Sequence, residues 1–291
     1  MPRGLILRGL AVPPAITLAR AAADPALVDA FGPSDFAVWP DNAAMQADLQ
    51  AGAVDLAIIP TNVAATLFAQ GLPLGLARVT VWGILHVMTR RPEIQGWAGL
   101  AGRTVAVPLR GNMPDTIFTT LIARVPALAG QVTVRYMPSY AVAMAAMLAG
   151  EADAAVLPEP LASVAEAQGA RRAIDLQAEW GRLVGGAPRY PQAGVVVPRA
   201  RWTADAAPAI GGAIDRAVAW MAAKPDEAGA LGATLLGFDA ATVAQSLRRT
   251  HWESVPASGA RGDLERFFTV LRETSPALLP HGLPGDGFYL A

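Results

Sequence analysis

Cysteine is absent from the 291 residues. That removes disulfides, thiolate nucleophiles, iron–sulfur clusters, cysteine-ligated zinc and a lipid-modified N-terminal cysteine from this sequence. Histidine is scarce. His86, His251 and His281 stand far apart at no ligand spacing, so neither a catalytic zinc site nor any other metal or cofactor is expected. Charge is sparse and balanced: 23 basic against 24 acidic residues leave a formal −1, with no electrostatic footprint for nucleic acid or an anionic membrane. No run of 18 or more uncharged apolar residues occurs, so no segment is expected to span a bilayer.

What is abundant is apolar surface. Hydrophobic residues make up 53% of the chain and charged residues 16%, a balance that favours a buried globular core over disorder. The length suits one large or two ordinary domains. An internal repeat favours two. Residues 40–64, PDNAAMQADLQAGAVDLAIIPTNVA, and residues 138–162, PSYAVAMAAMLAGEADAAVLPEPLA, align at a constant offset. Pro40 meets Pro138, Gly52 meets Gly150, Asp55 meets Asp153 and Pro60 meets Pro158. Each copy reads as an apolar helix stopped by Gly, then a short buried strand closed by Pro, which cannot donate to a sheet ladder. Carried backwards, the offset sets Leu5-Ile6-Leu7 against Thr104-Val105-Ala106-Val107. Each half therefore reads βαβαβ, the pattern of a parallel sheet with helices on both faces.

In chain order, strands are expected at 5–10, 36–39, 55–59, 74–82 and 84–89, with helices at 15–23, 42–51 and 63–70. Residues 90–102 form a Gly- and Pro-bearing polar connector, the expected first crossing. A second lobe follows, with strands at 103–107, 132–137 and 154–157 and a helix at 116–124. The β-branched stretch 192–198 is the expected return crossing. This assigns 1–89 plus 197–291 to lobe one and 90–196 to lobe two. From residue 204 onward the reading is helical (206–223, 225–236, 240–250 and 263–273), with strands confined to the first two-thirds and these helices packed on lobe one. The first 23 residues carry Arg3, an apolar middle and AAA, like a secretory signal. Arg8, Pro13-Pro14 and the need for a first strand make them mature structure instead, with any export signal absent from the chain as given.

The segments VDLAIIPTNVAATLFAQG, LAGRTVAVPLRGNMPDTIFTTLI and MLAGEADAAVLPEPLASVAEA resemble the substrate-binding proteins of ABC importers of the nitrate/sulfonate/taurine type. LAGRTVAV is similar to that family's passage into its second lobe, with Arg103 where lysine is commoner. The resemblance covers roughly residues 5–200. It implies an α/β, two-lobed type II periplasmic-binding-protein fold, each lobe a mixed, mostly parallel sheet flanked by helices, joined by two crossover hinge segments. It further implies a periplasmic monomer that captures a small molecule between its lobes without catalysis and hands it to an ABC permease in the inner membrane.

In parallel α/β sheets ligands sit beyond the carboxyl ends of the strands, so the strand-end loops supply the candidate ligand residues. In the RGNMPD loop, Gly111 admits a close backbone approach. Asn112 and Met113 set N–H groups at a helix start, and Arg110 offers a bidentate contact to an anion. The competing reading is a Pro-capped helix start with Arg110 in solvent. Ser139 and Tyr140 open the second repeat helix, with Thr61 and Asn62 in the matching place of lobe one; capping alone also explains Ser139 and Thr61. Gly9, Leu10, Val12 and Pro13 follow the first strand. Trp82-Gly83 stands near the first crossing and Gln192 near the return. Trp39 is either an aromatic wall or core. Glu159 is either a partner for a cationic ligand group or an ordinary helix-start acid. Asp55 and Asp153, at the amino ends of their strands, are assigned to turns.

Two other classes compete. The same fold hosts enzymes, among them pyrimidine synthases of thiamine biosynthesis, whose cysteine-rich motif has no counterpart here, and a menaquinone-pathway dehydratase, for which Glu159 or Asp115 would be the acid or base. A sensor domain would need a partner that the sequence does not show.

Overall fold

The computed structural model describes residues 4–280 and 282–291, so His281 lies outside the described residues. The chain divides into two compact units. One comprises Met1–Trp82, Pro191–Phe268 and Leu279–Ala291; the other comprises Gly83–Tyr190 and Thr269–Leu278.

The first unit begins with β1 (Ile6–Leu10), α1 (Ala15–Ala22), α2 (Pro25–Phe31), β2 (Asp35–Trp39), α3 (Asn42–Gln50), β3 (Leu56–Pro60), α4 (Thr61–Ala69) and β4 (Leu74–Val81). The second unit carries β5 (Leu85–Thr89), β6 (Thr104–Pro108), α5 (Met113–Ile122), β7 (Thr133–Met137), α6 (Tyr140–Leu148), β8 (Ala154–Pro158), α7 (Leu161–Ala167), β9 (Arg171–Asp175) and α8 (Leu176–Val184). The chain then returns to the first with β10 (Ala193–Pro198), α9 (Ala207–Ala223), α10 (Pro225–Leu236), α11 (Ala240–Arg248), β11 (Trp252–Pro256) and α12 (Arg261–Thr274), whose last residues count with the second.

The first sheet runs β11-β4-β10-β3-β1-β2. Strand β1 is parallel to β2 and β3, while β10 is antiparallel to β3 and β4. The second runs β7-β6-β8-β5-β9, with β6 parallel to β7 and β8 and with β5 antiparallel to β8 and β9. Burial follows position. The central strands β3 and β8 read LAIIP and AAVLP and are buried along nearly their whole length, as strands covered on both faces must be. The edge strands β2 and β7 (DFAVW and TVRYM) are largely solvent-facing until their last residue. In the first unit Leu7, Leu56, Ile58, Val195 and Val197 form one core with Leu18 of α1 and Ile210 and Ile214 of α9.

N-caps begin the helices where the repeat places them. Asp41 accepts the Ala44 N–H at 2.8 Å, and Ser139 accepts the Val142 N–H at 3.2 Å. The repeated aspartates tie strands together. Asp55 accepts the main-chain N–H of Ile6 at 2.9 Å and Asp153 that of Thr104 at 3.0 Å, each reaching back 49 residues.

Three placements depart from the sequence reading. Strand β5, expected in lobe one, fills the gap between β8 and β9 of the second sheet. Residues 193–196, expected in lobe two, belong to β10 between β3 and β4 of the first. Both are buried on two faces, so nothing in their pattern assigns them to one sheet. The confinement of strands to the first two-thirds also fails: β11, only partly buried, pairs with β4. Helices α2 and α8 and strand β9 add to the expected elements.

Candidate functional site

In the first unit the register brings the candidate residues to one edge of the sheet. Leu10 is level with Trp39, Gly9 with Ile58, and Ala193 with both Pro60 and Val81. The carboxyl ends of β1 to β4 and the start of β10 therefore coincide. Gly9 is required by packing, because a Cβ there would meet Ile58 Cγ2 at 2.8 Å and the Ala15 Cβ of α1 at 3.2 Å. Val12 donates its N–H to the Leu10 carbonyl at 2.7 Å, and its own carbonyl accepts the Ala15 N–H, so the Leu10–Pro13 turn leads straight into α1.

Thr61 is fully buried. Its hydroxyl donates to the Pro191 carbonyl and its N–H donates to the Gln192 carbonyl at 3.2 Å, so it tethers α4 to β10 rather than capping its own helix. Asn62 and Gln192 are 5% and 8% exposed, and Asn62 Oδ1 and Gln192 Oε1 have no hydrogen-bond partner. Burying such groups unmatched is unfavourable unless something else completes them. Trp39 and Trp82 are buried, with indole N–H groups donating to Asp48 at 2.7 Å and to the Glu253 carbonyl at 2.9 Å. Trp39 thus sits as its core alternative has it, and Trp82, expected near the crossing, is packed in the same way.

In the second unit Pro108 is level with Met137, and Leu85 with Pro158, so the ends of β6, β7 and β8 and the start of β5 share an edge. The RGNMPD loop is held by its own acid. Asp115, in the first turn of α5, accepts the Gly111 N–H at 2.8 Å and the Tyr136 hydroxyl at 3.2 Å. Gly111 has φ +80°, which its lack of a Cβ makes accessible. Arg110 lies over the Tyr136 ring at 4.9 Å, on the edge strand. Asn112 accepts the Thr116 N–H and hydroxyl through its carbonyl but gives no side-chain cap, and Met113 is buried. Partial desolvation and the neighbouring Asp115 carboxylate raise the Tyr136 phenol, and desolvation pushes Tyr140 up to about 12, so both stay protonated at neutral pH.

Glu159 is fully buried. Its carboxylate accepts the Ser163 hydroxyl at 2.8 Å and faces Arg172 Nη2 at 2.7 Å. Desolvation nevertheless wins and raises its pKa against the pull of Arg172 and Ser163. Gly83, at φ +122°, stands where a Cβ would strike the Gln177 side chain at 1.9 Å. Gln177 Oε1 accepts the Leu85 N–H and the Tyr190 hydroxyl, each at 2.9 Å. Arg172 and Ser163 are the groups that sequence reasoning missed. Ser163 follows a stretch read only as a helix start, and Arg172 sits in β9, which the sequence reading did not assign. Among the described residues no group of three or more metal-ligating side chains gathers.

A family model described as "NMT1/THI5 like" matches residues 36–228. The chain belongs to the NMT1/THI5-like family. No curated protein sequence matches it. Among solved structures, this NMT1/THI5-like chain is similar to an ABC transporter protein from Parabacteroides distasonis, at 22% identity, TM-score 0.80 and 99% coverage of each chain. It is similar to the periplasmic aliphatic sulphonate binding protein SsuA of Escherichia coli at 19% identity and TM-score 0.75, covering all of this chain and 93% of that one. It is also similar to the desulfurization enzyme DSZB, at 17% identity, TM-score 0.66 and coverage of 99% and 96%. At such identities the likeness carries the fold: two mixed sheets flanked by helices, as in periplasmic binding proteins.

Proposed function

We propose that this NMT1/THI5-like protein is a non-catalytic solute receptor that works as a periplasmic monomer and delivers its ligand to an ABC permease. The observation that carries the reading is the state of the polar groups at the carboxyl edges of the sheets. The two acids that would serve a dehydratase, Asp115 and Glu159, are both engaged, the first by Gly111 and Tyr136 and the second by Arg172 and Ser163. At the first unit's edge the amides Asn62 and Gln192, which do not titrate near neutral pH, each keep an acceptor unmatched. Such an edge holds a solute and leaves its covalent bonds alone. The helices also fit a protein outside the bilayer, since none among the described residues is long and apolar enough to cross a membrane.

The test is a thermal-shift screen over sulfonates, nitrate, vitamin precursors and aromatic acids, followed by calorimetry and product analysis of every hit. One-to-one binding with the solute recovered unchanged is expected, because a ligand held by the native state raises its melting temperature by mass action. Steady conversion of a bound solute would overturn the proposal in favour of an enzyme, the class to which DSZB belongs. Fractionation of the producing cells tests the compartment, and co-purification with a permease tests the partner.

A further inference from the structure

Asn62 Oδ1, in the first turn of α4, and Gln192 Oε1, just before β10, are buried acceptors with nothing donating to them. The Gln192 carbonyl already takes the Thr61 N–H, one residue from Asn62. Thr61, which might otherwise supply a donor, directs its hydroxyl to Pro191. The unmatched buried side-chain atoms of these two amides are therefore both acceptors.

At the start of α5 the features that would welcome an anion are already used. An internal carboxylate, Asp115, occupies the Gly111 N–H at the start of α5, and Pro114 contributes no N–H there. Arg110 rests on Tyr136, which in turn donates to the same carboxylate. A sulfonate or nitrate brought to that helix start would meet a resident negative charge.

Resting on the receptor reading, we infer that the solute is a hydrogen-bond donor, a neutral or cationic molecule whose N–H groups are received by Asn62 and Gln192, and that simple oxyanions are not its ligands. The assignment separates this chain from what its structural neighbour SsuA is named for. Each acceptor matched by a ligand N–H is worth roughly tenfold in affinity.

Four probes with one ring and different head groups test it by calorimetry on the full chain: benzamide, benzamidine, benzoate and benzenesulfonate. Benzamide or benzamidine is expected to bind, and the two anions to bind at least roughly tenfold more weakly. Asn62→Leu and Gln192→Leu should each weaken the N–H probes by roughly tenfold. Asn62→Asp keeps the acceptor and discards the amide donor, so it should hold benzamide and tighten benzamidine; a melting curve confirms that each variant folds. Preference for benzenesulfonate or benzoate, failure of all four probes to bind, unchanged benzamide affinity in the leucine variants, or loss of benzamide binding in Asn62→Asp would each overturn the inference. An anion preference would leave the receptor reading intact. Turnover of a bound N–H probe would sink the receptor reading while leaving the polarity of the site as inferred.

Discussion

The two units use one plan and end it differently. Sheet β2-β1-β3-β10-β4 matches sheet β7-β6-β8-β5-β9 strand for strand, and in each the fourth strand enters antiparallel from across a crossing. The same aspartate ties the third strand's start to the first strand in both, over the same 49 residues. Beyond the third strand the likeness stops. The first unit continues with Thr61-Asn62, neutral and partly unmatched, where the second has Glu159-Pro160 with the carboxylate locked to Arg172 and Ser163. The scaffold is thus duplicated and the chemistry is not, which locates specificity in the loops.

The sharpest way to press that difference is to compare two carboxylate–arginine pairs. Asp24 and Arg216 of the first unit meet at 2.7 and 2.8 Å on a surface where the Arg216 side chain is 55% exposed. Glu159 is fully buried and the Arg172 side chain is 14% exposed, and Arg172 Nε and Nη1 have no hydrogen-bond partner. Arg172→Met strands a buried acid and should cost about 3–5 kcal/mol in urea unfolding, with much of it recovered in the double variant Glu159→Gln, Arg172→Met. Arg216→Met should cost about 1 kcal/mol or less, since water screens that pair and Asp24 retains its cap on α2. Equal losses would mean that burial does not separate the pairs.

The tie that both halves share should break equally. Asp55→Ala and Asp153→Ala each remove a charged acceptor from a strand N–H, for about 1.5–3 kcal/mol apiece in the same measurement. Unequal losses would show that the flanking ion pairs, Arg201 with Asp55 and Arg91 with Asp153, carry part of the effect. This tie also explains what could be read from the chain alone. Gly52 and Gly150, Asp55 and Asp153, and the closing prolines recur because the backbone demands them, so the repeat and its element order were legible. Strands β5 and β10 were misassigned because a strand buried on two faces looks the same from either sheet, and β11 was missed because a short, half-buried edge strand lacks a strong pattern. At the site, the strand ends were legible as places. The pairing of Glu159 with Arg172 was not, because it joins the loop after β8 to a strand that the sequence did not announce, and neither was the packing role of Trp82.

The same pairs should diverge with pH. Side-chain hydrogen bonds from Arg216 lead the effects that hold Asp24 below its ordinary 3.8, so its unfolded form takes up protons first and its contribution to stability is lost as pH falls below about that value. Burial raises Glu159 above its ordinary 4.5, so its native form holds a proton that the unfolded chain has released, and stability falls as pH rises from there through the native value. Urea midpoints followed against pH should show Asp24→Asn flattening the acid side and Glu159→Gln flattening the side above it. Shifts in the same direction would mean that one carboxylate is in the wrong charge state.

The smallest expected effect falls on the residue that the sequence made most conspicuous. Arg110 follows a strand end, precedes a glycine and a helix start, and reads as an anion clamp. In the fold its guanidinium lies over Tyr136 at 4.9 Å, beside an acid that already fills the loop. Arg110→Ala should therefore cost about 0.5–1 kcal/mol of stability, the worth of an exposed cation–π contact. It should leave benzamide affinity in calorimetry within about twofold, because no matched hydrogen bond is removed. A tenfold to hundredfold loss for an anionic solute would return Arg110 to the site, and with it the oxyanion chemistry that the second unit's edge otherwise opposes.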